Sequence, residues 1–273
     1  MKWKEHLQKK RLLKYGVTGA TAAGYYLWQK QAKPFSRLFS PRVPETNRLI
    51  LFQLPYSPYC IKVQYCLRYK GIPFETVNIT PILHEGFSRQ ISGQIKVPYI
   101  QYGGQVIVDS TTIAHYLDTL VSEPPLLPKD PTQREEVLLL EDWLDEVFMP
   151  ALARLTYVKN ARDPGALIDN PEITTGMAFL DAHKDKIVPL MLKRSLKKQG
   201  LSLEDEAALR PQAEHVLERM RYRLKHQPYL VGDELTLADL TLAGHLNTLE
   251  KLPNLASRYS ELFAWRASLP VTL

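Results

Sequence analysis

The chain has 273 residues, of which 45% are hydrophobic and 23% charged, a composition that predicts two folded domains and excludes a largely disordered protein. The net charge of +6 is unevenly distributed, because residues 1–44 hold seven Lys, three Arg and one Glu, so that this segment carries +9 and the rest −3. A mildly acidic folded part argues against nucleic-acid binding, and two cysteines are too few for a disulfide framework or a zinc cluster.

The N-terminal arm, residues 1–48, differs from the sequence that follows it. Cations flank an uncharged run at 15–28 that combines regularly spaced small residues with aromatic residues at its far edge: Gly16, Ala20, Gly24, Tyr25, Tyr26 and Trp28. This pattern is typical of a membrane-associating segment, here residues 1–33, although a full span needs about 20 apolar residues. An organellar presequence and a plain solvated tail are the alternatives, because acidic residues are scarce in the arm.

Residues 49–120 carry short apolar runs and amphipathic segments in the order β-α-β-α-β-β-α. The run LILF at 49–52 is typical of a buried strand, and Gly71 is a helix-ending residue. Gly103-Gly104 predicts the tight turn of a hairpin, and a helix over 110–120 closes the unit. The order predicts a thioredoxin-like α/β domain, in which helices cover a mixed sheet.

Ser57-Pro58 begins the first predicted helix of this domain. Ser is a favoured N-cap and Pro a favoured first helical residue, so that the pair by itself predicts only a helix start. Two further residue pairs suggest that this helix start belongs to a binding site. Val97-Pro98 opens a strand, where a cis proline is expected, and Asp109-Ser110 begins a helix whose free N–H groups can bind an anion. We expect the three pairs to converge on one groove.

The sequence around these pairs resembles a known family. The run YSPYCIKVQYCLRYKGIPFE at 56–75, followed by KVPYI at 96–100 and VDSTTIAHYL at 108–117, is similar to the glutathione-binding domain of the glutathione transferases. The serine-type and bacterial members are the most similar, and the resemblance covers most of residues 49–270. It implies the glutathione transferase fold, with glutathione as co-substrate, no metal, and a homodimer as one form of the protein.

The resemblance also implies roles for individual residues. Ser57 occupies the family's catalytic position, where it donates a hydrogen bond to the glutathione sulfur. A helix N-terminus and a hydroxyl donor together lower the pKa of a thiol, which is near 8.5 when free. The remaining binding residues are expected to hold the cysteinyl part, the γ-glutamyl end and a carboxylate: Val97 with Pro98, Asp109 with Ser110, and Lys96, respectively.

Cys60 lies where SPYC resembles the CPYC site of glutaredoxins. Ser57 replaces the attacking first cysteine of that site, which argues against dithiol exchange. We therefore predict that Cys60 is a small buried residue in the first turn of the helix.

A proline-rich linker at 121–130 precedes residues 131–273, which are predicted to form an all-helical domain. Thr236, with Asp239 three residues later, is a capping box and marks a helix start. Helices are expected over 135–155, 172–198 and 204–226, the last interrupted or capped near Pro211, with a loop over 160–171. A hydrophobic second substrate is expected between Tyr56, Tyr59 and the first helices of this domain. Trp143, Phe148 and Tyr157 could line that site, although aromatic residues at helical spacing more often belong to the core.

Three functions remain open from the sequence. The leading hypothesis is a cytoplasmic transferase that conjugates glutathione to an electrophile, with a possible membrane attachment. The stretch at 77–98 faintly resembles the membrane-anchored type 2 prostaglandin E synthases, which suggests a glutathione-dependent isomerase or reductase. The third hypothesis is a non-catalytic membrane scaffold similar to metaxin. The histidines lack the spacing of a metal site, and we assign no function to His84, His115 and His245.

Overall fold

The computed structural model describes residues 42–80, 84–170 and 181–273, and it begins with an α/β unit. The strands and helices of this unit are β1 (Leu49–Gln53), α1 (Pro58–Tyr69), β2 (Phe74–Asn78), α2 (Glu85–Ser92), β3 (Tyr99–Tyr102), β4 (Gln105–Val108) and α3 (Ser110–Leu120). The predicted order of elements is therefore confirmed.

The four strands form one mixed sheet in the order β2-β1-β3-β4. β1 runs parallel to β2 and antiparallel to β3, and β3 and β4 form the predicted hairpin, with positive φ at both turn glycines, Gly103 and Gly104. All five residues of β1 are buried, because this strand lies inside the sheet and is covered on both faces. That position explains the uninterrupted apolar run in its sequence.

The helical part, residues 131–273, follows a linker without regular structure. Among its described residues the helices are α4 (Pro131–Trp143), α5 (Met149–Arg162), α6 (Gly165–Ile168), α7 (Lys184–Gln199), α8 (Glu206–His226), α9 (Leu237–Leu249), α10 (Pro253–Arg258) and α11 (Ser260–Ser268), with a π-helical turn at Leu144–Phe148 and a 3₁₀ turn at Leu203–Asp205. The thioredoxin-like α/β unit with an all-helical second part is the predicted fold class.

Two details of the helical part differ from the sequence predictions. Helix α5 continues to Arg162 and α6 lies within the expected loop 160–171. Helix α8 runs through Pro211 without interruption. A proline inside a helix costs about 3 kcal/mol, and here a buried apolar face along the rest of α8 offsets that cost. The first part of the helix expected over 172–198 lies outside the described residues.

Helix α9 is the central helix of the protein and begins with the predicted capping box. The Asp239 carboxylate accepts hydrogen bonds from Thr236 N and Thr236 Oγ1, both at 2.9 Å, and from Leu230 N at 2.7 Å. Nearly every side chain of α9 is buried. At Gly244 a Cβ atom would lie 2.7 Å from Lys62 N and 3.0 Å from Pro58 O, so that only glycine lets α9 pack directly against α1.

The described part of the N-terminal arm runs from residue 42 into β1 without regular structure. Val43 packs against the smaller of two apolar clusters, which includes Phe52 and Tyr99. The membrane-associating segment predicted at 1–33 lies outside the described residues. Among those that the structure describes, no helix is long and apolar enough to cross a membrane.

Candidate functional site

Ser57 lies at the N-cap position of α1, but its hydroxyl does not cap the helix. Its backbone is extended, at φ −80° and ψ 124°, and Pro58 is the first helical residue. Ser57 N donates to Leu54 O at 3.0 Å, and Ser57 O accepts from Ile61 N at 2.9 Å. The side chain, however, makes no capping hydrogen bond. The backbone of Ser57 thus starts the helix, while its half-buried hydroxyl takes no part in the cap and lies within hydrogen-bonding reach of the Cys60 thiol.

The sheet register brings the three sequence pairs to one end of the sheet. Phe52 at the end of β1 pairs with Tyr99 at the start of β3, and Tyr99 pairs with Val108 at the end of β4. The segment after β1, the segment before β3 and the segment after β4 therefore lie at the same end of the sheet. These segments contain Ser57, Val97-Pro98 and Asp109-Ser110, respectively.

The second pair has the geometry expected from the sequence. The Val97-Pro98 peptide bond is cis, as predicted for a proline at the start of a strand. Val97 is half-buried, whereas the preceding Lys96 is exposed.

Asp109 has the single positive φ among the non-glycine residues that the structure describes, at +75°. This conformation costs free energy in a residue with a Cβ atom, and such strain is often found at functional sites. One carboxylate oxygen, Oδ1, accepts from Thr112 N at 3.0 Å and caps α3. Asp109 is exposed and Ser110 is buried at the first position of that helix. The cap uses Oδ1 and not the other carboxylate oxygen, Oδ2.

Cys60 is fully buried in the first turn of α1, as predicted. Burial raises the pKa of its thiol to about 11, although hydrogen bonds from Leu54 and Ser57 oppose the shift. A thiol with so high a pKa is a poor nucleophile at neutral pH.

The predicted wall of a second-substrate site is only partly present. The Tyr59 hydroxyl donates a hydrogen bond to Asp145 O at 3.1 Å. Burial is the main cause that raises the pKa of Tyr59, and the nearby Tyr157, which is 36% exposed, adds to the shift. Phe148, in contrast, is fully buried and Trp143 packs against it, with ring centroids 6.1 Å apart. Phe148 therefore belongs to the core, the more frequent role of an aromatic residue at helical spacing, and does not line such a site.

Lys251, which the sequence did not single out, follows the C-terminus of α9 and contacts the turn before Ser57. Its Nζ donates to Tyr56 O at 3.2 Å and lies 5.6 Å from the centroid of the Tyr56 ring. Burial lowers the pKa of Lys251. This contact ties the Tyr56-Ser57 turn to the helical part.

A buried cluster of polar side chains, named here the Lys62 network, lies between the two parts of the protein. It consists of Lys62, Thr111, Glu141, Asp145 and His245. The Lys62 ammonium donates to Glu141 Oε1, to Asp145 Oδ2 at 2.8 Å and to Thr111 Oγ1 at 3.2 Å, and Asp145 Oδ1 accepts from His245 Nε2 at 2.7 Å. Although burial opposes ionisation, the hydrogen bond with His245 and the Lys62 charge lower the pKa of Asp145 to about 2.

Sequence reasoning missed this network, and His245, which was assigned no function, is part of it. The one local signal is the charge at position 62, which lies within an otherwise buried stretch of α1. Its partners come from residues 49 to 83 positions away, so that the sequence alone could not identify them.

Comparison with known proteins gives the same family for both parts of the chain. Residues 51–125 match the family model described as the glutathione S-transferase N-terminal domain, and residues 179–269 match the one described as the C-terminal domain. Together the two models cover more than half of the chain.

Curated relatives include a probable glutathione S-transferase of Solanum tuberosum, 25% identical over 79% of this chain and 83% of the relative. Protein LigF of Sphingobium is 26% identical over 67% of this chain and 71% of its own length.

Solved structures with a similar fold include beta-etherase LigF from Sphingobium, with a TM-score of 0.63 and 23% identity over 81% of this chain and 96% of that one. A glutathione S-transferase of Methylobacterium radiotolerans in complex with glutathione sulfonate has a TM-score of 0.59 and 23% identity, covering 82% of this chain and 92% of that one.

Proposed function

Because this chain belongs to the glutathione S-transferase family, we propose that it transfers the thiolate of glutathione to a hydrophobic, electrophilic small molecule. The observation that carries this proposal is the Ser57 hydroxyl, which makes no capping bond at the start of α1. Ser57 lies at the same end of the sheet as Val97 and the start of α3. A ligand that spans these three points requires that arrangement.

In the proposed reaction Ser57 acts as a hydrogen-bond donor and does not ionise. Glutathione releases its thiol proton to solvent, and the resulting thiolate is stabilised by the Ser57 hydroxyl and by the N-terminus of α1. The thiolate attacks the electrophilic carbon, a C–S bond forms, and the leaving group departs with the electron pair of the bond that breaks. At neutral pH the two groups act by lowering the thiol pKa, which increases the fraction of glutathione present as the attacking thiolate.

The remaining candidate residues bind the tripeptide in this proposal. The backbone of Val97, which Pro98 follows, pairs with the cysteinyl part. The free carboxylate oxygen of Asp109 accepts from the γ-glutamyl ammonium, and the start of α3 at Ser110 binds the γ-glutamyl carboxylate. Lys96 is exposed and supplies a cation for the second carboxylate of the peptide.

Ether cleavage is a second candidate reaction, favoured by the similarity to the beta-etherase LigF. It uses the same nucleophile, with an aryl oxide as leaving group. The aromatic surface that Tyr59 and Tyr157 offer suits an aryl substrate in either case. A reductase is disfavoured because the Cys60 thiol is buried.

Calorimetry and turnover test the proposed function on the full chain. We expect glutathione to bind at millimolar concentration or below, and to react with 1-chloro-2,4-dinitrobenzene or with an aryl ether. Absence of glutathione binding would contradict the proposal and favour the non-catalytic scaffold. Binding with turnover only of a disulfide would indicate a reductase instead.

We also propose that the protein is a cytoplasmic homodimer, and that residues 1–33 attach it to membrane surfaces. The support for attachment is the charge of +9 in residues 1–44, since each cation near an anionic surface contributes about 1 kcal/mol. Flotation with anionic liposomes, comparing the full chain with one that lacks residues 1–41, tests the attachment. If the full chain stays in the soluble fraction, the arm is a tail or a presequence.

A further inference from the structure

Lys62 is a buried cation with a complete set of acceptors. Its side chain is 0% exposed, and its ammonium donates to three oxygen atoms, one hydroxyl and two carboxylates. A fully buried lysine is rare, and a buried ion pair usually stabilises a fold no better than apolar residues of the same size. The network therefore calls for an explanation other than stability, and fixing one geometry is the best attested one.

The network joins the starts of the two helices that carry the candidate glutathione residues. Lys62 lies on α1, five residues after Ser57, and Thr111 directly follows Ser110 on α3. The Thr111 hydroxyl accepts from Lys62 Nζ at 3.2 Å and donates to Glu141 Oε1 at 2.6 Å. One hydroxyl thus connects the start of α3 both to the ammonium on α1 and to a carboxylate on α4.

The network also reaches the helical part and the region next to Tyr59. Asp145 binds Lys62 through Oδ2 and His245 of α9 through Oδ1, while its backbone oxygen accepts the Tyr59 hydroxyl. The Tyr59 ring lies edge-on to the His245 ring, with centroids 5.2 Å apart. A shift of any of these elements would break at least one bond to a charged group in a buried site.

We propose that the Lys62 network is a positioning device for glutathione, which sets the distance between the start of α1 and the start of α3. This inference rests on the proposed function, because it assigns the sulfur end of glutathione to the first helix start and the γ-glutamyl end to the second. A ligand that bridges two helix starts binds tightly only if their separation is fixed before it arrives. Lys62 and Thr111 do not touch the ligand in this proposal, and they act through Ser57, Asp109 and Ser110.

Thr111→Val carries the test, because Lys62→Met removes the one cation between two buried carboxylates and is expected to unfold the protein. Valine keeps the shape of threonine and replaces only its hydroxyl by a methyl group. We expect the Kd and KM for glutathione to rise about five-fold, the effect of one lost hydrogen bond. The kcat and the apparent pKa of the bound thiol should stay at the wild-type values, because the start of α1 is unchanged. Thr111→Ser restores the hydroxyl and should bind glutathione as the wild type does.

Thermal melts and a second variant separate positioning from simple stabilisation. A Thr111→Val protein with a lower Tm but unchanged Kd and KM would overturn the inference, and so would equal losses of affinity in the Val and Ser variants. Ser57→Ala should give the opposite pattern, with a lower kcat and a raised thiol pKa. If the wild type itself fails to bind glutathione, the proposed function fails; if it binds and Thr111→Val binds equally well, only the positioning inference fails.

Discussion

Replacement of Ser57 by alanine should impair catalysis far more than folding. A serine that caps a helix contributes about 1 kcal/mol to stability, but the Ser57 side chain makes no capping bond. Its loss should therefore change the free energy of unfolding by less than about 1 kcal/mol. Loss of one donor to a developing anion costs about 3 kcal/mol, which corresponds to a reduction of roughly 10²-fold in kcat.

Ser202→Ala is a matched control, because Ser202 belongs to a capping box at the 3₁₀ turn before α8, where its backbone N and its Oγ donate to Asp205 Oδ2 at 2.6 and 3.1 Å. We expect Ser202→Ala to lower the free energy of unfolding by about 1 kcal/mol and to leave kcat unchanged. Both variants are measured by urea denaturation and by turnover of glutathione with 1-chloro-2,4-dinitrobenzene across a pH series. The pH at half-maximal kcat should rise in Ser57→Ala alone, because the thiolate loses a donor.

Equal kcat values in Ser57→Ala and the wild type would refute this reasoning. Ser57 would then be a residue that starts a helix through its backbone and has no chemical role. A large loss of stability together with the loss of activity would also count against it, because a side chain that does not cap α1 would then have to contribute to folding.

Four further predictions follow from single contacts. Cys60→Ser should leave kcat/KM within about two-fold, because a buried thiol with a pKa of about 11 takes no part in the reaction; a disulfide reductase activity lost in this variant would show otherwise. Asp239→Asn should lower the free energy of unfolding by about 3 kcal/mol, since three buried donors lose a charged acceptor, whereas Asp233→Asn on the surface should change it by less than about 0.5 kcal/mol. Equal effects in urea denaturation would rule out the capping role. Gly244→Ala should lower the free energy of unfolding by about 1–3 kcal/mol, because its Cβ would lie within 3.0 Å of the α1 backbone, and a wild-type Tm would contradict that packing. The pKa of Asp145 is lowered to about 2, so the stability that this group contributes is present above about pH 4 and is lost as the pH falls through 2. The difference in free energy of unfolding between the wild type and Asp145→Asn should therefore shrink over that range, and a constant difference would show that the carboxylate is not stabilised by its neighbours.

Local signals in the sequence were sufficient for most of the secondary structure. The buried strand β1, the hairpin at Gly103-Gly104, the cis bond at Val97-Pro98 and the capping box at Thr236 each depend on residues that are neighbours in the chain. Where the sequence prediction failed, a tertiary contact had overridden a local preference. Pro211 is tolerated because the rest of α8 buries an apolar face.

The sequence by itself determined the family, the order of the elements and the position of Ser57 at a helix start, because each is written in short runs of adjacent residues. Only the tertiary structure decided that the Ser57 hydroxyl does not cap α1, since the sequence Ser-Pro is the same whether or not the side chain caps the helix. The Lys62 network was likewise invisible in the sequence. Its bonds join residues 30 to 100 positions apart, and a buried charge can be recognised as stable only when all its partners are known.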